Sequence, residues 1–94
     1  MTKALWSKDA LADLRRVIEF LEEENPQAAL YILEAVESGT QRLLEHPRIG
    51  EQVEEFLPRE VRRLMVASYE LHYEVGNARI TILRLWHQRE DRLH

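Results

Sequence analysis

"YELHYEVGNARITILRLWH", residues 69–87, decides the fold of this 94-residue chain. From Tyr69 the side chains alternate: Tyr69, Leu71, Tyr73 and Val75 to one side, Glu70, His72 and Glu74 to the other. That period of two marks a half-buried strand. Gly76-Asn77 is a two-residue hairpin signal with glycine first, and "ARITILRLWH" is the return strand. With Val75 opposite Ala78, the register sets Tyr73 against Ile80, Leu71 against Ile82 and Tyr69 against Arg84. It also pairs Glu74 with Arg79 across the strands. One face then reads Tyr69, Leu71, Tyr73, Ile80, Ile82 and Trp86, a core face awaiting a covering layer. The other face carries Leu83 and Leu85. The last strand is therefore apolar on both sides, and those two leucines call for cover, by a partner or by the C-terminal tail folding back.

Working outward, "EVRRLMV" (residues 60–66) reads as a preceding strand, broken at Ala67-Ser68. Before it, "HPRIGEQVEEFLP" is a loop punctuated by Pro47 and Gly50. Upstream the period changes to 3.6. Ala10, Leu11, Leu14, Val17, Ile18 and Leu21 form one stripe, with Asp13, Arg15, Arg16 and Glu19 off it. Ser7 is the expected N-cap and Asp9 suits the first turn, so a helix over about residues 8–24 follows. Asn25 caps a second helix with Pro26 at its first position. Ala29, Ile32, Leu33, Val36, Leu43 and Leu44 carry its stripe, Gly39 weakens its middle, and it ends near His46 before Pro47. So short a connection makes the helices antiparallel. "KALW", Lys3 to Trp6, is a first strand. The expected class is α+β in two layers: an N-terminal strand, then an antiparallel helical hairpin packed on a small, mainly antiparallel sheet.

The length suits one domain, residues 1–94. With 45% apolar residues the chain can build a core. No cysteine is present, which excludes disulfides and thiolate metal cages and fits a reducing compartment. No apolar run approaches the roughly 20 residues of a membrane span, and the start lacks a signal-peptide core, so a cytoplasmic location is expected. Net charge is −4, unevenly spread. Residues 1–60 hold 7 basic and 13 acidic side chains, whereas residues 61–94 hold 6 arginines and 4 acids. The resulting +2 of the second part is too small for a general nucleic-acid binder.

His46, His72, His87 and His94 lack ligand spacing for a metal. There is no glycine-rich phosphate loop and no nucleophile elbow, so no cofactor is expected. What remains is Arg62, Arg63, Tyr69, Arg84, His87, Arg89 and Arg92. Such a set could hold a phosphodiester, with arginine stabilising charge and histidine as acid or base, or equally an acidic peptide.

The front half, "WSKDALADLRRVIEFLEEENPQAALYILEAVESGTQRLLEHPRIGE", resembles the RelE/ParE toxin superfamily. The resemblance rests on a tryptophan-led strand, an "A..DL..I..FL" helix, "NP.AA" opening the next helix and "L..HP..G" closing it. "VRRLMVASYELHYEV" and "ITILRLWHQREDR" continue it, so it covers nearly the whole chain. The ending "WH.RE.R" is closest to the ParE-like branch, whose members are also called plasmid-stabilisation proteins. The resemblance implies a helical hairpin on a small antiparallel sheet and a type II toxin neutralised by a cognate, ParD-like antitoxin. ParE-like members poison DNA gyrase; RelE-like members cut messenger RNA on the ribosome. The acidic balance, the lack of lysine after Lys8 and the lack of tyrosine after Tyr73 favour gyrase. Trp86, His87, Arg89, Glu90 and Arg92 are then the expected target surface, and Leu64, Met65, Val66, Leu83 and Leu85 the expected antitoxin surface. In the nuclease alternative Arg62, Arg63, Arg84 and His87 would be catalytic.

Overall fold

The computed structural model describes residues 3–89. Strand β1 (Lys3–Trp6) leads into helices α1 (Lys8–Glu24) and α2 (Pro26–Glu45). Strands β2 (Glu51–Gln52), β3 (Val61–Val66), β4 (Tyr69–Gly76) and β5 (Arg79–His87) follow, with one 3-10 turn at Glu54–Phe56. Among the described residues the strands form one five-stranded sheet in the order β1-β5-β4-β3-β2. β1 runs parallel to β5, and the other neighbours are antiparallel. The architecture is α+β: a helical hairpin packed on one face of a mostly antiparallel sheet. No helix of the described residues is long and apolar enough to cross a membrane.

Local chemistry explains the hairpin of helices. Ser7 Oγ accepts the Ala10 N–H at 3.0 Å, and its hydroxyl donates to the Leu83 carbonyl at 3.1 Å. One side chain thus starts α1 and docks it on β5. Asn25 serves both helices. Its N–H donates to the Leu21 carbonyl, closing α1, while its Oδ1 accepts from the N–H groups of Gln27 and Ala28, opening α2. Pro26 then occupies the first helical position, where no N–H is needed. With one residue between the helices, the chain can only double back.

Val17, Ile32, Val36 and Leu43 from the helices bury against Leu71, Tyr73, Ile80, Ile82 and Leu85 of the sheet. Leu14, Ile18 and Leu21 pack against this core as half-buried members. Each fully buried aliphatic side chain contributes on the order of 1.5–3 kcal/mol.

The hairpin differs from the sequence reading in register. Its last pair is Gly76 with Arg79, so Asn77-Ala78 form the turn, and Ala78 takes the left-handed conformation at φ 57°. Val75 stands opposite Ile80 and Tyr73 opposite Ile82. Between His72 and Tyr73 the register then shifts, with His72 opposite Arg84 and Leu71 opposite Leu85. Leu83 has no counterpart. This one-residue bulge reverses the facing of everything after it. Leu85, expected outside, is fully buried in the core, whereas Trp86, expected inside, stands on the helix-free face. Leu83 is only half buried. Tyr69 faces His87 instead of Arg84, and Glu74 bonds Arg59 instead of Arg79.

Candidate functional site

The helix-free face of the sheet holds a concentrated polar cluster. Glu70 and His72 follow one another on that face of β4, both nearly buried, with His72 Nε2 2.8 Å from Glu70 Oε2. Arg63, opposite His72 on β3, brings a guanidinium nitrogen to 4.0 Å from Glu70 and bonds Glu51 at 2.8 Å. The His72 ring sits edge-on to Trp86, with centroids 4.5 Å apart, and edge-on to Phe56 at 6.4 Å. The 3-10 turn that carries Phe56 closes one side. A pocket of about 470 Å³ results, lined by Val53, Glu55, Phe56, Arg63, His72, Arg84 and Trp86.

Arg84 enters this pocket from the bulge but is held from behind. Its Nε and Nη2 donate to the two oxygens of Asp13 at 2.8 and 3.2 Å. Asp13 is 4% exposed and also accepts the Leu85 N–H at 2.9 Å. β1 pairs with β5 only as far as Ile82, and beyond it the α1 carboxylate takes the place of a neighbouring strand. The ion pair raises the Arg84 pKa, chiefly through the hydrogen bond to Asp13. Arg63 is raised in the same way, chiefly by Glu51.

The candidate nuclease residues do not converge. Arg63 and Arg84 lie on the helix-free face. Arg62, opposite the buried Tyr73, is on the other side, where it bonds Glu60 at 2.9 Å and the Gly50 carbonyl at 2.7 Å. His87, beyond the bulge, lies beside Val17 and Phe20 of α1 and edge-on to Tyr69. Of the expected target surface, Trp86 and His87 therefore stand on opposite faces. Arg89 is exposed, with its N–H on His87 Nδ1, while Glu90 and Arg92 lie outside the described residues.

Of the expected antitoxin residues, Val66 and Leu85 are buried in this chain's own core, so they offer no surface. Leu64 and Leu83 are half buried, and Met65 is 44% exposed. The larger apolar opening lies elsewhere, on the helices. Trp6, Leu11, Leu14, Leu30, Leu33 and Val36 line a groove of about 600 Å³, rimmed by Glu34 and Glu37.

Two features escaped the sequence reading. Asp13, expected off the α1 stripe, lies three residues from Ala10 and four from Val17, on the buried face. Glu70 and His72, expected on the face away from the helices, are buried there. Phe56 stands edge-on to His72 on that face, a contact between distant segments that period alone does not reveal.

A search of curated proteins gives no match. Among solved structures the chain is similar to one described as the chromosomal ParDE TA system from P. aeruginosa, with a TM-score of 0.75 and 22% identity. The alignment covers 93% of this chain and 96% of that one. At that identity the likeness is one of fold. In sequence, residues 4–92 match the family described as ParE toxin of type II toxin-antitoxin system, parDE. With nearly its whole length matched, the chain belongs to the ParE toxin family of type II toxin–antitoxin systems.

Proposed function

We propose that the protein is a cytoplasmic toxin that inhibits DNA gyrase and is neutralised by a cognate, ParD-like antitoxin. The family match supports the toxin class. The observation that favours gyrase over message cleavage is the split of Arg62 and His87 from Arg63 and Arg84 across the two faces of the sheet. Cleavage at a 2′-hydroxyl needs acid, base and charge stabiliser within reach of one reacting centre. Here each arginine of that set is already held by a carboxylate, and no shared centre exists for them. Inhibition of a protein target asks only for surface, and Arg89 is exposed just beyond the end of β5.

The groove on the helices is the surface best suited to the antitoxin. It is apolar at its floor, with Leu11 47%, Leu30 57% and Leu33 41% exposed, and acidic at its rim. An amphipathic helix with a basic flank would bury those leucines and meet Glu34 and Glu37. Met65 adds an exposed apolar contact on the sheet.

The test uses one refolded sample in two assays. Supercoiling by purified gyrase should be inhibited while ribosome-bound message stays intact. Message cleavage without gyrase inhibition rejects the reading.

A further inference from the structure

The helical hairpin presents a face that is complementary to itself. Its floor is apolar, with Leu11, Leu30 and Leu33 between 41% and 57% exposed. Its two walls differ in charge. Glu34 and Glu37 stand along the α2 wall. Arg15, four residues after Leu11 and so on the same side of α1, stands along the other. These three charged side chains are exposed, and none has an ion-pair partner among the described residues, whereas Arg48, Arg59, Arg62, Arg63 and Arg84 each hold a carboxylate. The heights match as well. α1 ends and α2 begins at Asn25. At about 1.5 Å of rise per residue, Arg15 lies about 15 Å from that turn, between Glu34 at about 13 Å and Glu37 at about 18 Å. Glu19 falls at about 9 Å, level with Leu30 and short of both glutamates.

We propose that, without the antitoxin, a second copy of this chain occupies the groove and joins the two helical hairpins as a four-helix bundle. A two-fold axis along the groove keeps every residue at its height and lays α1 of one copy over α2 of the other. Arg15 of each copy then reaches Glu34 and Glu37 of the other, and the three leucines of each copy close over the facing groove. With 17 residues in α1 and helices about 10 Å wide, the face measures about 20 by 25 Å. The pair buries about 1,000 Å² in all, the lower edge of specific interfaces, which places its dissociation in the micromolar range. Neutralisation would then require the copies to separate first. That consequence rests on the antitoxin's use of this groove, whereas the pairing itself does not.

The experiment is sedimentation equilibrium of the full chain across the micromolar range, with folding of every variant checked by circular dichroism. The wild type should fit a monomer–dimer equilibrium. Arg15→Glu should raise its midpoint about tenfold, because two symmetry-related contacts are lost at once. Glu34→Arg/Glu37→Arg should raise it by at least as much. All three positions are exposed, so the fold should persist. The combined variant Arg15→Glu/Glu34→Arg/Glu37→Arg exchanges the two walls and should return the midpoint to within about threefold of wild type. Recovery of this kind requires the walls to face each other across two copies. A chain that stays monomeric throughout the range overturns the proposal. So does a midpoint that the single-wall variants leave unchanged, or one that the combined variant fails to restore. Leu30→Glu/Leu33→Glu should be monomeric. If that monomer is still neutralised by co-expressed antitoxin, the pairing stands and the antitoxin's use of the groove is rejected.

Discussion

At the residue scale, two buried polar side chains hold more of the fold than their number suggests. Tyr73 is fully buried, yet its hydroxyl accepts the Gly50 N–H and donates to the Pro47 carbonyl, both at 2.9 Å. It pins the loop after α2 to the middle of β4. A Cβ at position 50 would sit 2.6 Å from the Arg63 carbonyl oxygen and 2.7 Å from that hydroxyl, which is why the loop has glycine there. Tyr73→Phe keeps the ring and removes both bonds, leaving a donor and an acceptor without that partner. The expected cost is about 1–3 kcal/mol, read from denaturant melts. Burial pushes the Tyr73 pKa above the ordinary 10.0. The folded state therefore holds its proton where the unfolded chain releases it. The stability this contributes is complete below pH 10 and is lost as pH rises further. Melts taken above that pH should show a decline that Tyr73→Phe reduces. Asp13 is the second case. Asp13→Ala removes the acceptor of the Leu85 N–H and the partner of Arg84. Arg84 is about half exposed, so the ion pair counts for less than a buried one. Most of the expected loss of about 2–3 kcal/mol comes from the orphaned strand edge. An equal melt for Asp13→Ala and wild type would show that β5 closes without it.

At the scale of elements, the hairpin shows what sequence period can and cannot reveal. Helix starts, the antiparallel helical hairpin and the existence of β3, β4 and β5 were legible because caps, apolar stripes and alternation are local. The register was not, because glycine and asparagine at 76-77 outweighed Ala78 as turn formers. The structure instead puts Ala78 at φ 57° and keeps Gly76 in the ladder. The bulge at Leu83 was equally invisible, since "ILRLW" reads as apolar on both sides whichever way it faces. Its physical reason lies in other elements: Ser7 bonds the Leu83 carbonyl and Asp13 the Leu85 N–H, which fix β5 against α1. The misjudged facing of Leu85 and Trp86 follows from that one residue. The turn itself gives a prediction. An L-residue in the left-handed region costs roughly 1–2 kcal/mol, and glycine there costs roughly 0.4–1 kcal/mol in extra unfolded-state freedom. Ala78→Gly should therefore stabilise by about 0.5 kcal/mol, seen as a higher denaturant midpoint with an unchanged slope. A lower midpoint would mean that Ala78 is not strained.

At the scale of the molecule, two surfaces differ in chemistry. The helical groove is apolar with an acidic rim, whereas the end of β5 presents Arg89 and leads into a charged run. If the groove serves the antitoxin and the β5 end the target, variants should separate neutralisation from toxicity. Leu30→Glu/Leu33→Glu places two carboxylates on exposed positions of α2, beside Glu34 and Glu37. Exposed helix positions tolerate such changes within about 0.5 kcal/mol, so the fold should persist. A basic-flanked helix would still meet the rim but would lose the leucines that drive burial, and each lost anchor of this kind costs on the order of 1–2 kcal/mol of binding. The variant should kill on induction at the wild-type rate and resist rescue by the co-expressed antitoxin. Arg89→Ala/Arg92→Ala should do the opposite. Arg89 makes no core contact, and the loss of two planar donors weakens target engagement while the groove is untouched. Growth after induction, with and without antitoxin, reads both variants in one experiment, and circular dichroism verifies their folding. If the folded arginine variant kills as fast as wild type, the β5 end is not the target surface. If the leucine variant is rescued as readily as wild type, the antitoxin docks elsewhere, and the sheet around Met65 is the next surface to alter.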